Sequence, residues 1–293
     1  MKFTKATRKK SKLRLGLTGP AGSGKTWGAL QVAKGLGGSI AVIDTEHGSA
    51  SLYEHIVDFD VLELTAPYTP ERFIEAIDAA ELAGYETLII DSITHEWSGK
   101  GGCLEINEAI AQSKFRGNTW SAWNETTKRH RTFIDRILQS KMHIIATMRS
   151  KTETAQQESI TGKKQVVKLG MKAEQRDGSE YEFGVVLDII HDGHYATASK
   201  DRTGIFVDQD PKPITVETGK ALLNWLESGV DPLPEVSEPL PEIDHIANIQ
   251  QCTTMAELVN AWQIIPSDLK PKCLEAKDNQ KQLLTKNEEQ TNG

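Results

Sequence analysis

The stretch that most constrains this chain is Gly19-Pro20-Ala21-Gly22-Ser23-Gly24-Lys25-Thr26, a complete G-x-x-x-x-G-K-[ST] phosphate loop. Its glycines let successive backbone N–H groups turn inward on a polyphosphate that side chains would otherwise block. Lys25 meets the β- and γ-phosphates, Thr26 offers a hydroxyl to Mg2+, and Trp27 follows within reach of the nucleotide. Such a loop works between a strand and a helix, because the helix aims the positive end of its dipole at the anion. Leu13–Thr18 supplies the strand and Lys25–Leu36 the helix. The expectation is an α/β fold that binds ATP with Mg2+.

The rest of the chain repeats that alternation. Strand-like runs at Ser39–Asp44, Asp60–Leu64, Thr87–Asp91 and His143–Thr147 are separated by helical patterns at Pro70–Ala83 and Thr119–Leu138. This order predicts a mainly parallel sheet flanked by helices. The last helix sets Trp120, Trp123, Thr127, His130, Ile134 and Ile137 on one face, which reads as a core stripe. Residues 150–178 are polar and contain glycine, so they read as a long functional or mobile loop. Glu182–Ile190 returns to strand, Asp192-Gly193 reads as a two-residue hairpin turn, and Tyr195–Ser199 pairs back. The flanking His191 and His194 read as plain hairpin residues, not metal ligands. A helix at Val216–Leu226 closes the domain.

The 293 residues suit one α/β core with an appendage. Residues 13–228 form the expected core, after a basic segment at 1–12. A Pro- and acid-rich linker at 229–242 leads to a small helical segment at 243–284, with a disordered tail at 285–293. Within that segment Thr254-Met255-Ala256-Glu257 is a capping box, and Ser267 is placed to cap a helix over Asp268–Leu284. Three scattered cysteines argue for a reducing cytoplasm and against a zinc site or disulfide framework. No run approaches the length of a membrane span, and the amino-terminal run is too short for a secretory signal. The net charge of −7 hides an asymmetry. Residues 1–14 hold seven Lys/Arg and no acid, whereas residues from Asp231 onward hold eleven acids against five Lys. Either end suits a charged partner, or both are simply solvated and partly disordered.

Hydrolysis needs more than a cradle: an acid for the metal, a base for water and positive charge for the γ-phosphate. Asp91 ends the apolar Thr87–Asp91 strand beside the phosphate loop and reads as the metal-side carboxylate. Glu46, just past the Ser39–Asp44 strand, emerges at the same sheet edge and reads as the base, with Asp44 as fallback and Glu96 as the weaker rival. Thr147, ending another strand, is placed to sense the γ-phosphate, and Arg149 to relay that signal into residues 150–178. Lys200 and Arg202 suit cations reaching a neighbouring subunit's triphosphate, or else a surface ion pair with Asp201.

Together these stretches resemble the RecA-type ATPase core. Ile43-Asp44-Thr45-Glu46-His47 resembles the catalytic-glutamate segment of RecA recombinases, and Ile89-Ile90-Asp91-Ser92 their Walker B strand. Thr147 and Arg149 fall where that family carries Gln and Arg ahead of its second DNA-binding loop. Lys200-Asp201-Arg202-Thr203-Gly204 resembles the Lys-Asn-Arg-x-Gly element that RadA and hexameric replicative helicases use in trans. Thr147 in place of Gln, Asp201 in place of Asn, and the lack of a large amino-terminal oligomerisation domain are the departures. Residues 13–206 are similar to phage-encoded AAA/RecA-like proteins, including the Sak-type single-strand annealing ATPases.

The resemblance implies a RecA-like P-loop NTPase of phage recombination or replication, acting in a bacterial cytoplasm as a ring or filament. It implies single-stranded DNA along two loops. One is Ser98–Asn118, with Lys100, Lys114 and Arg116; the other is residues 150–178, with Lys151, Lys163, Lys164, Lys168, Lys172 and Arg176, joined by Arg149. It allows a single-strand-binding protein or another replication protein to dock on the carboxy-terminal tail. Alternatives are a nucleotide-gated adaptor working through those helices, and a P-loop kinase.

Overall fold

A computed structural model of the chain describes residues 3, 5–158, 164–230, 245–267 and 269–291, with side chains described outside 152–158, 164–171 and 287–291. Two compact units emerge, residues 1–231 and residues 232–293.

The first unit opens with β1 (Arg14–Gly19), α1 (Lys25–Leu36), β2 (Ile40–Asp44), β3 (Asp60–Glu63), α2 (Pro70–Leu82) and β4 (Thr87–Asp91). There follow α3 (Thr94–Ser98), α4 (Cys103–Lys114), α5 (Thr119–Gln139), β5 (His143–Glu158) and β6 (Lys164–Ala173). It closes with β7 (Val185–Ile189), β8 (Tyr195–Asp201), β9 (Lys212–Pro213) and α6 (Val216–Glu227). The sheet order is β3-β2-β4-β5-β1-β7-β8-β9, with β6 paired only to β5. From β3 to β7 every pairing is parallel, and β8 and β9 are antiparallel. The central strands are buried throughout, as a sheet covered on both faces demands.

Helices cover both faces. On one, Leu30, Val32 and Ala33 of α1 and Leu222 and Leu226 of α6 pack on Leu15, Leu17 and Val42. Gly35 and Gly219 let those helices touch: a Cβ on Gly219 would stand 2.3 Å from the Val32 carbonyl oxygen. On the other face, Phe73 and Ile77 of α2 and Phe133 and Ile137 of α5 pack on Ile43, Leu88, Ile90 and Ile144. Phe73 and Phe133 are both fully buried, with ring centroids 5.4 Å apart.

Several expectations are corrected. Residues 150–178 hold a long antiparallel hairpin, with Ser150 opposite Ala173 and Glu158 opposite Lys164, and not a loop. Ser98–Asn118 is mostly the helix α4; Lys100 and Arg116 flank it, and Lys114 pairs with Glu125 at 2.6 Å. The turn at Asp192-Gly193 is a short 3-10 turn over Asp192–His194, with the Ile190 N–H bonded to the Tyr195 carbonyl. On α5 the buried stripe is Ala122, Thr126, His130, Phe133, Ile134 and Ile137. Trp120 is 85% exposed and Trp123 half-buried, so neither belongs to the core. The basic head is strapped down at Lys9 and Lys10 by backbone pairing with Val230, while the Arg8 guanidinium lies 4.8 Å over the Trp225 ring. Lys163 and residues 231–244 of the linker lie outside the described residues.

The second unit has its own small core, Ile249, Cys252, Leu258, Ile265, Cys273 and Leu284, formed by α7 (His245–Gln250), α8 (Met255–Ile264) and α9 (Lys270–Thr291). The capping box at Thr254 is present: its hydroxyl accepts from the Glu257 N–H at 3.2 Å. Helix α9 extends through the stretch expected to be a disordered tail, as far as Thr291. No helix among the described residues is long and apolar enough to cross a membrane.

Candidate nucleotide site

The carboxyl ends of β1, β2, β4 and β5 meet at one edge, where ligands of wound sheets gather. Because β5 lies between β1 and β4, side chains of its last core residues stand between the phosphate loop and Asp91. The loop itself fits a polyphosphate. Gly22 and Gly24 have φ of 75° and 90°, a left-handed backbone that opens the cradle. Helix α1 begins at Gly24 with no side-chain cap, so its first N–H groups are free to turn to an anion. Ser23 Oγ is buried without a hydrogen-bond partner, a polar atom suited to a ligand oxygen. Lys25 Nζ donates to the Gly19 and Pro20 carbonyls at 3.0 and 2.8 Å, folded back along the loop. Burial pulls the Lys25 ammonium below its ordinary pKa, and the nearby Asp91 and Glu46 carboxylates pull it up.

Asp91 is the centre of the metal side. Its Oδ2 accepts from Thr26 Oγ1 and its Oδ1 from Thr147 Oγ1, both at 2.5 Å. Burial pushes this carboxyl above its usual range against those two hydrogen bonds. Thr26 and Asp91 together present the hard oxygen donors that Mg2+ takes. Thr147, expected to sense the γ-phosphate, is fully buried and its hydroxyl donates to Asp91.

Glu46 emerges from the loop after β2 and meets Arg149 in a two-pronged pair, Nε to Oε1 at 2.9 Å and Nη2 to Oε2. That pairing raises the guanidinium's pKa and turns Arg149 toward the phosphate edge, away from the DNA-facing place expected for it. Register sets Arg149 directly across from Gly19. The fallback base is spent: Asp44 is buried and accepts from the Glu46 N–H at 2.6 Å and the Ala50 N–H at 2.9 Å, so it clamps the loop that carries Glu46. Glu96 is also fully buried, accepting from Cys103 Sγ at 3.0 Å and paired with His130 Nδ1 at 3.1 Å beneath α4 and α5.

Two histidines read as bystanders lie on the loop. His194 Nδ1 sits 3.0 Å from the Ser23 carbonyl oxygen, and a Cβ on Gly22 would come 3.5 Å from His191 Nε2. Beside them, Trp27, Tyr53, His194 and Pro213 line a pocket of about 480 Å3 that runs from Gly22–Gly24. Its aromatic walls suit a nucleobase. The only sequence signal was the H-x-x-H spacing, which carries no hint that the turn folds back over the loop.

Lys200 and Arg202 lie elsewhere. Register puts Lys200 across from Val186, toward the amino edge of the sheet, and both cations donate to the Tyr181 carbonyl. Asp201 does not pair with them; it accepts from the Thr203 and Phe206 N–H groups at 2.7 and 2.8 Å.

Comparison with curated proteins finds no match. A family profile described as AAA domain matches residues 11–215. That span runs from β1 through the phosphate loop, Asp91, Glu46 and the hairpin to the start of α6, well over half of the chain. The chain therefore belongs to this AAA domain family, a family of P-loop ATPases.

Proposed function

We propose that this protein hydrolyses ATP with Glu46 as general base, and does so in the service of single-stranded DNA during recombination or replication. One observation carries the reading: Glu46 shares a sheet edge with Lys25 and Asp91 and is clasped by Arg149, on the strand that continues into a basic hairpin. Gly19–Thr26 would hold the phosphates, Lys25 the β- and γ-oxygens, and Trp27 with His194 the nucleoside. Thr26 and Asp91 would hold Mg2+, which supplies charge neutralisation when bound. Glu46 takes a proton from water as the water oxygen bonds to the γ-phosphorus and the bond to the ADP oxygen breaks. For that, one Glu46 oxygen must leave Arg149, whose guanidinium is then free to meet the charge building on the γ-phosphoryl group.

Assembly is the role this reading gives the remaining cations. Lys200 and Arg202 donate to the Tyr181 carbonyl and not to their own phosphate loop, and in this reading they act on a neighbouring copy in a ring or filament. Annealing or strand exchange is the output, in the manner of phage Sak-type ATPases in a bacterial cytoplasm. The separate carboxy-terminal unit favours a second role, an adaptor surface for a single-strand-binding or other replication protein.

ATP turnover with and without single-stranded DNA tests the reading, with particle size measured in the same buffers. A several-fold rise on DNA supports it; indifference of turnover to any single strand contradicts it. Mixing Lys25→Ala with Arg202→Ala protein restores partial turnover if sites are shared, and gives none if they are not.

A further inference from the structure

Helix α5 carries two stripes, and only one is core. On the outward side, Trp120, Asn124, Thr127 and Arg131 recur at helical spacing and line an open groove of about 980 Å3. Its aromatic floor is built from three indoles. Trp97 of α3 stacks on Trp123 with centroids 5.5 Å apart and planes 19° apart, and Trp120 stands 85% exposed. Its rim is cationic: Lys128 and Arg131 on α5, Lys151 on β5, and Lys172 and Arg176 at the end of the hairpin. Asp177 is the one acid among the lining residues, and it pairs with Lys172 at 2.9 Å. Arg176 is fixed in place, 5.9 Å over the Trp123 ring and donating to Thr127 Oγ1 at 2.8 Å.

We infer that this groove is where single-stranded DNA lies, with a base stacked on Trp120, neighbouring bases against the edges of the Trp97–Trp123 pair, and phosphates on Lys128, Arg131 and Lys151. The inference deepens the function proposed above and takes the identity of the polymer from it. The exposed Trp120 indole beside cations, with the half-buried Trp97–Trp123 pair behind it, matches a strand whose bases are unpaired and whose backbone is anionic. A duplex hides its base faces, and an apolar peptide would have to bury five cations. The distance from Trp120 to Arg131, eleven residues along α5, spans about 16 Å.

The groove is also wired to the phosphate edge. Lys151 is two residues beyond Arg149 on β5. The Arg149 carbonyl accepts from the Glu174 N–H at 2.6 Å, and Gln175 Nε2 donates to the Ile93 carbonyl at 3.0 Å, two residues past Asp91. A strand seated against Lys151 and Arg176 therefore bears on the same segment that clasps Glu46.

The test is fluorescence anisotropy of labelled oligo(dT) with the full chain, read alongside quenching of intrinsic tryptophan emission. Trp120→Ala alters an exposed side chain and leaves the core intact; it should weaken binding about 5- to 100-fold and reduce the quenching. Lys128→Ala with Arg131→Ala should flatten the slope of log affinity against log salt by about 1.4. Wild-type binding with both variants unchanged overturns the groove and leaves the ATPase reading standing. Duplex DNA bound as tightly as oligo(dT) overturns it too. No binding of oligo(dT) by the wild type overturns the groove together with the DNA side of the proposed function.

Discussion

The two ends of the central strands use arginine to opposite effect. At the amino edge, Arg14 donates to the Leu13, Met142 and Leu138 carbonyls at 2.7 to 3.0 Å and to that of Ser140. His143 Nδ1 there accepts from the Leu13 N–H at 3.0 Å. At the carboxyl edge, Arg149 meets the side chain of Glu46, Lys25 folds along its own loop, and Asp91 is held by two threonine hydroxyls. Backbone partners cannot exchange without unfolding the strand, so the amino edge stores stability. Side-chain partners can be traded for a ligand, so the carboxyl edge stores reactivity. For Arg14 and Arg149 it is the partner and not the charge that separates structure from chemistry; Lys25, whose partners are the Gly19 and Pro20 carbonyls of a loop outside the strand ladder, is the exception.

Substitutions at the two edges should therefore separate cleanly. Lys25→Ala removes the charge that meets the β- and γ-phosphates. Turnover should fall by roughly 10^3-fold or more, with the urea midpoint nearly unmoved. A large loss of stability in that variant would break the contrast. Glu46→Gln should keep ATP affinity within about twofold while hydrolysis drops by roughly 10^2- to 10^4-fold. Equal losses in affinity and turnover would instead make Glu46 a binding residue.

The amino edge makes the reverse prediction. Burial, and after it Lys12 and Arg14, lowers His143 from 6.5 to about 4 in the folded chain. A histidine depressed in this way adds stability in full above pH 6.5, and loses it as pH falls through the window down to 4. The amount at stake is on the order of 3 kcal/mol, of which about 2 is gone by pH 5. Urea unfolding at pH 7.5 and pH 5 measures it, and His143→Asn should flatten the difference without changing turnover at pH 7.5. Finally, Thr147→Val removes one of the two hydroxyls on Asp91. The Mg2+ concentration for half-maximal turnover should rise about 5- to 10-fold, with folding stability little altered. An unchanged Mg2+ requirement would mean that Thr147 does not position that carboxylate.

How much of this was legible in the sequence follows from the range of the forces involved. The phosphate loop, the β1 to β5 order and the positions of Asp91 and Glu46 are written in short stretches whose strand ends fix direction and edge. The groove is not. Trp120 and Trp123 share a helical face by period with His130, Ile134 and Ile137, and period alone cannot say which part of that face meets the sheet. The clue lay in Lys128 and Arg131, which share the outward face with the tryptophans and could not have been core. Likewise the hairpin strands Ser150–Glu158 and Lys164–Ala173 carry too many polar residues to announce themselves, since they pair with each other and not within the buried sheet. His191 and His194 needed a turn to fold back over Ser23, a contact 171 residues apart in the chain.

The most direct test of the central claim is a crystal structure of the protein with Mg2+, ADP and a γ-phosphoryl transition-state mimic. The account predicts Glu46 released from Arg149 and within hydrogen-bond reach of the in-line water, with Arg149 turned to the mimic. Glu46 still clasped by Arg149, and no carboxylate of this chain near that water, would contradict it.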